Sequence, residues 1–159
     1  MTFKLISPAF GHNGSIPSLY TCEGEDSSPP LAWSDVPSGT RTLALIMDDP
    51  DSPDPAKPQR VYVHWVVYNI SPLTLKLPLN AARTGLPLRA LHGTNDQEKQ
   101  TYCGPCPSIG KHRYFFKLYA LDTQLQGLRN PTKAQVEAAM EGHLIDNVEL
   151  VATYEKRKK

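Results

Sequence analysis

The sequence predicts a mostly-β fold, a two-sheet β-sandwich with one or two peripheral helices, and three features carry that expectation. Val61 to Ile70 is dense in Val, Tyr, Trp and Ile, with apolar residues on both alternating faces, as a central strand covered on both sides requires. Ten glycines and fifteen prolines among 159 residues interrupt the chain too often for a helix bundle. One amphipathic helix is legible, and it comes late, after the strands, which argues against alternating βαβ units. The length suits a single domain, expected over residues 1–155, that builds its core without staples. Seventeen Lys and Arg against sixteen Asp and Glu leave a net charge of +1. That field is too weak to hold a polyanion, so nucleic acid is not an expected partner.

Phe3 to Ile6 reads as a first strand. Thr42 to Asp48 is a short apolar run bounded by turn signals, the pattern of a buried strand. Ser27 to Pro30 and the proline-rich stretch from Asp49 to Pro58 are loops, since proline cannot donate to a sheet ladder. Ser71 to Gln100 has no clear period and is broken by Pro72, Pro78, Gly85, Pro87 and Gly93. Arg113 to Ala120 is a third clear strand, with Tyr114, Phe116 and Leu118 on one face and Arg113, Phe115, Lys117 and Tyr119 on the other. The helix starts either with Asn130 as its cap and Pro131 in the first turn, or with Thr132 capping the box Thr132-Lys133-Ala134-Gln135. Val136, Ala139, Met140, His143 and Leu144 then form one largely apolar stripe, with His143 at its edge. Val148 to Tyr154 is a further strand, and residues 156–159 form a solvated basic tail.

Lys4 and Pro8 break the opening segment before a signal core could form, and no stretch approaches the ~20 apolar residues of a membrane helix. Three cysteines are an odd number and too few for a disulfide scaffold. The expectation is a cytoplasmic protein with reduced thiols and no membrane span. Cys103-Gly104-Pro105-Cys106 has the letters of a thioredoxin active site. That chemistry needs the first thiolate at a helix N-terminus in a βαβ context. Here Pro107 and Gly110 follow, and then a strand, so a loop with two neighbouring thiols, able to form an incidental disulfide, is expected instead.

Asp48, Asp49, Asp51 and Asp54 stand where a strand meets a proline-rich turn, and turn chemistry accounts for most of them. Asp49 differs in parity: if the strand persists, it continues the face of Leu43, Leu45 and Met47, where a carboxylate needs a partner. His64 falls on the face of Tyr62, Val66 and Tyr68. His112 and Tyr114, two residues apart, point to the side of Phe116 and Leu118, and Gly104, Pro105 and Gly110 lie in the loop just before them. Two imidazoles, a tyrosine hydroxyl and loop amides would supply donors to a small oxyanion. An aspartate beside them would hold an imidazole charged or in the right tautomer. Zinc-ligand spacings, a Gly-x-Ser-x-Gly elbow, a phosphate loop and a dinucleotide fingerprint are all missing. The residues therefore favour a binding protein that needs neither cofactor nor metal; the alternative is an acid–base hydrolase of small phosphoesters using Asp49, His64 and His112.

Several segments resemble the phosphatidylethanolamine-binding protein family, and its bacterial branch of Raf kinase inhibitor-like proteins in particular. They are Asp48-Asp49-Pro50-Asp51-Ser52-Pro53, Val63-His64-Trp65-Val66-Val67-Tyr68-Asn69, Gly104-Pro105-Cys106-Pro107 and Gly110-Lys111-His112-Arg113-Tyr114. Ser7-Pro8-Ala9-Phe10, the stretch from Tyr20 to Trp33, and Glu141-Gly142-His143 with Glu149 to Tyr154 extend the likeness over nearly the whole chain, most weakly in Ser71 to Gln100. The resemblance implies a sandwich with a small anion pocket at one end. Its ligand set would be Asp49, His64, Gly104, His112 and Tyr114, with Asp51 and Pro105 beside them. It implies a small anionic ligand, a phosphate ester or carboxylate, a protein kinase or protease as partner, and a homodimer. The animal members carry an extra C-terminal helix near the pocket; here a strand and a basic tail are expected in its place.

Overall fold

The computed structural model describes residues 2–157. Eleven residues of β4 (Thr42–Ser52), eleven of β5 (Arg60–Ile70), eleven of β8 (Lys111–Leu121) and twelve of β9 (Leu144–Glu155) are the long strands. The short ones are β1 (Lys4–Ile6), β2 (Gly14–Ser15), β3 (Leu31–Ser34), β6 (Lys76–Leu77) and β7 (Leu91–His92). Two α-helices, α1 (Ala81–Thr84) and α2 (Lys133–Met140), and a short 3-10 turn at Ser18–Tyr20 complete the regular structure. The strands form a six-stranded sheet in the order β2-β9-β8-β4-β5-β7 and a three-stranded sheet in the order β1-β3-β6. All the pairings are antiparallel except β2 with β9. The molecule is thus the expected mostly-β, two-sheet sandwich.

Alternation along the central strands sends side chains into two separate cores. Leu43, Leu45 and Met47 of β4, with Trp65, Phe116 and Leu118, meet Leu5, Leu31, Trp33 and Leu77 of the smaller sheet. Ala44 and Ile46 point the other way and, with Val66, Tyr68 and Leu121, are covered by Val136 and Met140 of α2. Burial on both faces explains why β4 reads as a continuous apolar run rather than an alternating one. Asp48, on the helix-covered side, is 1% exposed and is neutralised by Lys117 Nζ at 3.2 Å and Lys133 Nζ at 2.7 Å.

Four expectations need correction. The stretch from Asp49 begins as strand, because β4 runs through Pro50 to Ser52 and the loop starts only at Pro53. His64 does not share a face with Val66 and Tyr68. Met47 pairs with Trp65 and Asp48 with Val63, so His64 has no partner on β4; this bulge shifts the alternation by one residue and turns His64 to the side of Tyr62 and Asp49. The helical stripe ends at Met140, because Gly142 takes a φ of 83° and begins the turn into β9. His143 and Leu144 therefore lie outside the helix, and His143 Nδ1 instead meets Asp122 Oδ1 at 2.8 Å on the surface. The tail is partly tied, since the Arg157 amide donates to Glu23 Oε1; Lys158 and Lys159 lie outside the described residues. Of the two candidate caps for α2, Thr132 is the one used: it accepts from the Gln135 amide at 3.2 Å and donates its own amide to Gln135 Oε1 at 3.0 Å. Replacing Thr132 by Ala is expected to lower stability by about 1 kcal/mol, read as a shifted urea midpoint with an unchanged denaturant slope.

Candidate functional site

Three neighbouring strands present polar side chains on the sandwich-facing side at one end of the large sheet. Period-two spacing sends His112 and Tyr114 of β8 there, Asp49 arrives from β4, and Tyr62 and His64 arrive from β5, with Asp49 paired directly across from Tyr62. A loop carrying Gly104, Cys106, Pro107 and Ser108 lies over them and bounds a half-open cavity of about 200 Å³. Asp49, His64, Gly104, His112 and Tyr114 all line it. Asp51 and Pro105 do not. Asp51 faces Arg113, which donates to it from Nε at 2.9 Å and from Nη2 at 2.8 Å, and that guanidinium holds the Asp51 carboxyl below its ordinary range. Pro105 uses its carbonyl to accept from the Cys22 amide at 3.1 Å.

Inside the cavity the hydrogen-bond partners assign the donors. His112 Nδ1 lies 2.6 Å from Asp49 Oδ2 and its Nε2 2.8 Å from the Ile109 carbonyl oxygen. Each ring nitrogen is thus committed to an oxygen of the protein. The second Asp49 oxygen accepts from the Asp51 amide at 2.7 Å. His64 Nδ1 donates to the Cys103 carbonyl at 2.7 Å, and burial holds this imidazole below its ordinary range despite that bond. The ring is therefore neutral near pH 7, with Nε2 an unprotonated acceptor. The expectation of two imidazoles offering free N–H groups is thus replaced by one fully committed ring and one lone pair. Burial also raises the Tyr114 hydroxyl well above its usual range, so it keeps its hydrogen.

The loop amide of Gly104 is not free either; it donates to Asp26 Oδ1 at 2.8 Å. A Cβ at this position would run into the Asp26 carboxylate and the Tyr20 carbonyl, so the glycine is required by loop-to-loop packing rather than by the approach of a ligand. The thiols also differ from expectation. Cys22 and Cys106, 84 residues apart, form a disulfide at the cavity edge, and Cys103 is the buried free thiol. The cause is the meeting of two loops, also tied by Tyr102 Oη donating to the Tyr20 carbonyl at 2.6 Å, which sequence spacing could not reveal. Burial pushes the Cys103 thiol up to about 12, the reverse of what a redox nucleophile needs. Sequence reasoning missed Tyr62, Ser52, Gln97 and Ser108 as lining residues. Tyr62 had a usable signal, its spacing of two from His64; Gln97 comes from the aperiodic stretch and had none.

Two measurements check this geometry. Replacing both Cys22 and Cys106 by Ser is expected to lower stability by about 2–4 kcal/mol, and wild-type protein treated with a reductant is expected to fall to the same value. Acidification supplies the second: the unfolded chain takes a proton on His64 near pH ~6.5 while the folded chain resists it, so stability is lost as pH falls below that point. His64→Asn, which keeps a side-chain donor toward the Cys103 carbonyl, is expected to flatten that loss between about pH 7 and about pH 5 in a denaturation series free of phosphate and carboxylate buffers.

Comparison with known proteins follows the same outline. The family pattern for phosphatidylethanolamine-binding protein matches residues 6–155. A UPF0098 protein of Chlamydia pneumoniae is 44% identical over 153 residues, covering 96% of this chain and 99% of the relative. A UPF0098 protein of Methanothermobacter thermautotrophicus is 46% identical over 154 residues, with 96% and 99% covered. Among solved structures, the phosphatidylethanolamine-binding protein homologue CT736 from Chlamydia trachomatis superposes with a TM-score of 0.88 at 42% identity, covering 98% of this chain and 99% of its own. E. coli YbcL, a member of the mammalian family, gives a TM-score of 0.88 at 30% identity over 99% of this chain and 100% of its own. With the pattern running from the end of β1 to the end of β9, the chain belongs to the phosphatidylethanolamine-binding protein family.

Proposed function

We propose that the chain is a non-enzymatic binding protein that captures a small oxyanion, a phosphorylated or carboxylated group, in the cavity at the ends of β8, β4 and β5. Membership of the family supports a binding role in general. The anion is inferred from one observation: polar groups without any partner in the protein converge on one half-open cavity. Among the described residues, Asn80 Oδ1 is the buried side-chain oxygen or nitrogen that lacks a hydrogen bond. The Tyr114 hydroxyl and His64 Nε2 also make none, so both must open to the cavity that their residues line. Their rings lie edge to face with centroids 5.3 Å apart, close enough for one small tetrahedral or planar group to reach both. The Tyr62 ring stands 4.9 Å from that of His64 and brings a second hydroxyl.

An oxyanion in this space takes hydrogen bonds from hydroxyls held in place by packing, and each charge-assisted bond contributes about 1.5–3 kcal/mol. Tyr114→Phe removes one hydroxyl while keeping the ring shape. Isothermal titration with phenyl phosphate is expected to show binding about tenfold weaker in the variant, with the unfolding midpoint unchanged. Equal affinity in the two proteins would remove Tyr114 from the site. A parallel incubation is expected to saturate without releasing phenol; steady release would favour the hydrolase instead.

A further inference from the structure

The segment between β5 and β7 carries a surface that the cavity does not use. Ser71 to Asn95 contains Lys76, Arg83 and Arg89 and no Asp or Glu. It also holds the two most exposed large apolar side chains among the described residues, Leu73 at 89% and Leu88 at 85%. Both stand at the tips of tight turns. The Thr74 amide donates to the Ser71 carbonyl at 3.0 Å and the Leu73 amide to Ser71 Oγ at 3.2 Å, closing the first turn under Leu73. The Ala90 amide donates to the Pro87 carbonyl at 3.0 Å, closing the second under Leu88 and Arg89. The two turns are neighbours. Leu91 of β7 lies across from Tyr68 of β5, so the residues just before Leu91 run beside the end of β5, where Ser71 follows Ile70. Tyr62 of the cavity lies toward the other end of that strand, about 26 Å from Ile70 at the usual rise per residue.

Turn chemistry does not call for these residues. A turn tip is ordinarily filled by Gly, Asn, Asp or Ser. Arg89 has a φ of 73°, where glycine carries no steric penalty and arginine does. Leu88 and Arg89 thus depart from what the fold alone would select, and such departures are expected at functional sites. Half-exposed Leu75 and Leu91 extend the apolar surface. Lys76 and Arg89 take part in none of the ion pairs among the described residues. Arg83 is committed elsewhere, because its guanidinium donates to the Glu25 and Asp26 carbonyls. Asp35 and Arg41, in the loop that precedes β4 at the same end, add one charge of each sign. Positive charge therefore stands beside protruding leucines.

The shape and the charge together select an occupant. A protein partner needs an apolar core ringed by polar atoms that shut out water. Here the apolar atoms are raised on two tips, each side chain nearly bare, and a fluid apolar phase accommodates such projections without matching them. We infer that the Leu73 and Leu88 turns dip into the headgroup boundary of an anionic lipid bilayer, with Lys76 and Arg89 against its phosphates. Peripheral docking of this kind gains from buried apolar area and from attraction to anionic lipid, and both contributions are present.

Co-sedimentation of the full chain with vesicles of equal parts phosphatidylcholine and phosphatidylglycerol, and with phosphatidylcholine alone, tests this. Wild-type protein is expected to pellet with the anionic vesicles, to partition at least about tenfold less onto the neutral ones, and to be released by added salt. Leu73→Ser combined with Leu88→Ser is expected to lower partition onto anionic vesicles at least about tenfold while the unfolding midpoint stays unchanged. Lys76→Gln is expected to lower it about fivefold. Arg89→Gly is the most telling variant. Relief of the positive φ raises the unfolding midpoint while loss of the charge weakens vesicle binding about fivefold, a combination that damage to the fold does not give. Docking is ruled out if wild-type chain stays in the supernatant with both vesicle types, if neutral vesicles take it equally, or if the double leucine variant binds like wild type. Release from the vesicles by saturating phenyl phosphate also overturns it, because the cavity would then be holding a lipid head group. So does gel filtration in which wild-type chain runs as a pair and the double leucine variant as a single chain, because a second copy would then cover the leucines.

Discussion

The Asp49 carboxylate and the His112 imidazole are both almost wholly withdrawn from water, with side chains 4% and 3% exposed. Neither is tolerable there alone, since removing one member of a buried pair costs about 3–5 kcal/mol. Their contact, with the Asp51 amide and the Ile109 carbonyl filling the remaining positions, satisfies every strong donor and acceptor on the two groups. Because one residue sits on β4 and the other on β8, the pair also pins the ends of those strands together. The cavity floor is therefore stiff.

The roof is built by different means. Residues 20–26 and 102–106 are far apart in sequence and meet through a disulfide, a tyrosine hydroxyl and an aspartate-to-amide bond. None of these ties uses the groups that open into the cavity, namely the Tyr114 hydroxyl and His64 Nε2. Structure-holding and cavity-facing positions are thus carried by separate atoms, sometimes of a single ring: His64 anchors with Nδ1 and leaves Nε2 toward the cavity. A space shaped in advance in this way loses little conformational freedom on binding, so more of each hydrogen bond is available as affinity.

Much of this was readable from the chain alone, for reasons that differ by residue. Asp49, His112 and Tyr114 were legible because strand alternation is a strict period of two and because their neighbours, Met47 and Phe116, are apolar enough to mark the inward face. His64 was placed in the right strand but on the wrong face, since a single unpaired residue inverts alternation and leaves no mark in composition. The two-residue strands β2, β6 and β7 are too short to show any period. The disulfide depended on tertiary proximity across 84 residues, and the role of Gly104 depended on a neighbouring loop rather than on its own sequence context. Asp51 was singled out by its position beside Asp49, yet a guanidinium outside the cavity claims it.

Asp48 and Asp49 are adjacent in sequence but serve opposite sides of one sheet, the first bridging two ammonium groups under α2 and the second facing an imidazole. Sliding β4 by a single position would exchange them, setting a carboxylate meant for lysines beside a ring and stranding two lysines over an apolar surface. Insertions or deletions between Thr42 and Asp48 are consequently admissible in twos, or singly when an offsetting kink is acquired nearby. The spacing of this short stretch thus acts as a counting constraint on how the lineage can drift, independent of whichever molecule occupies the hollow.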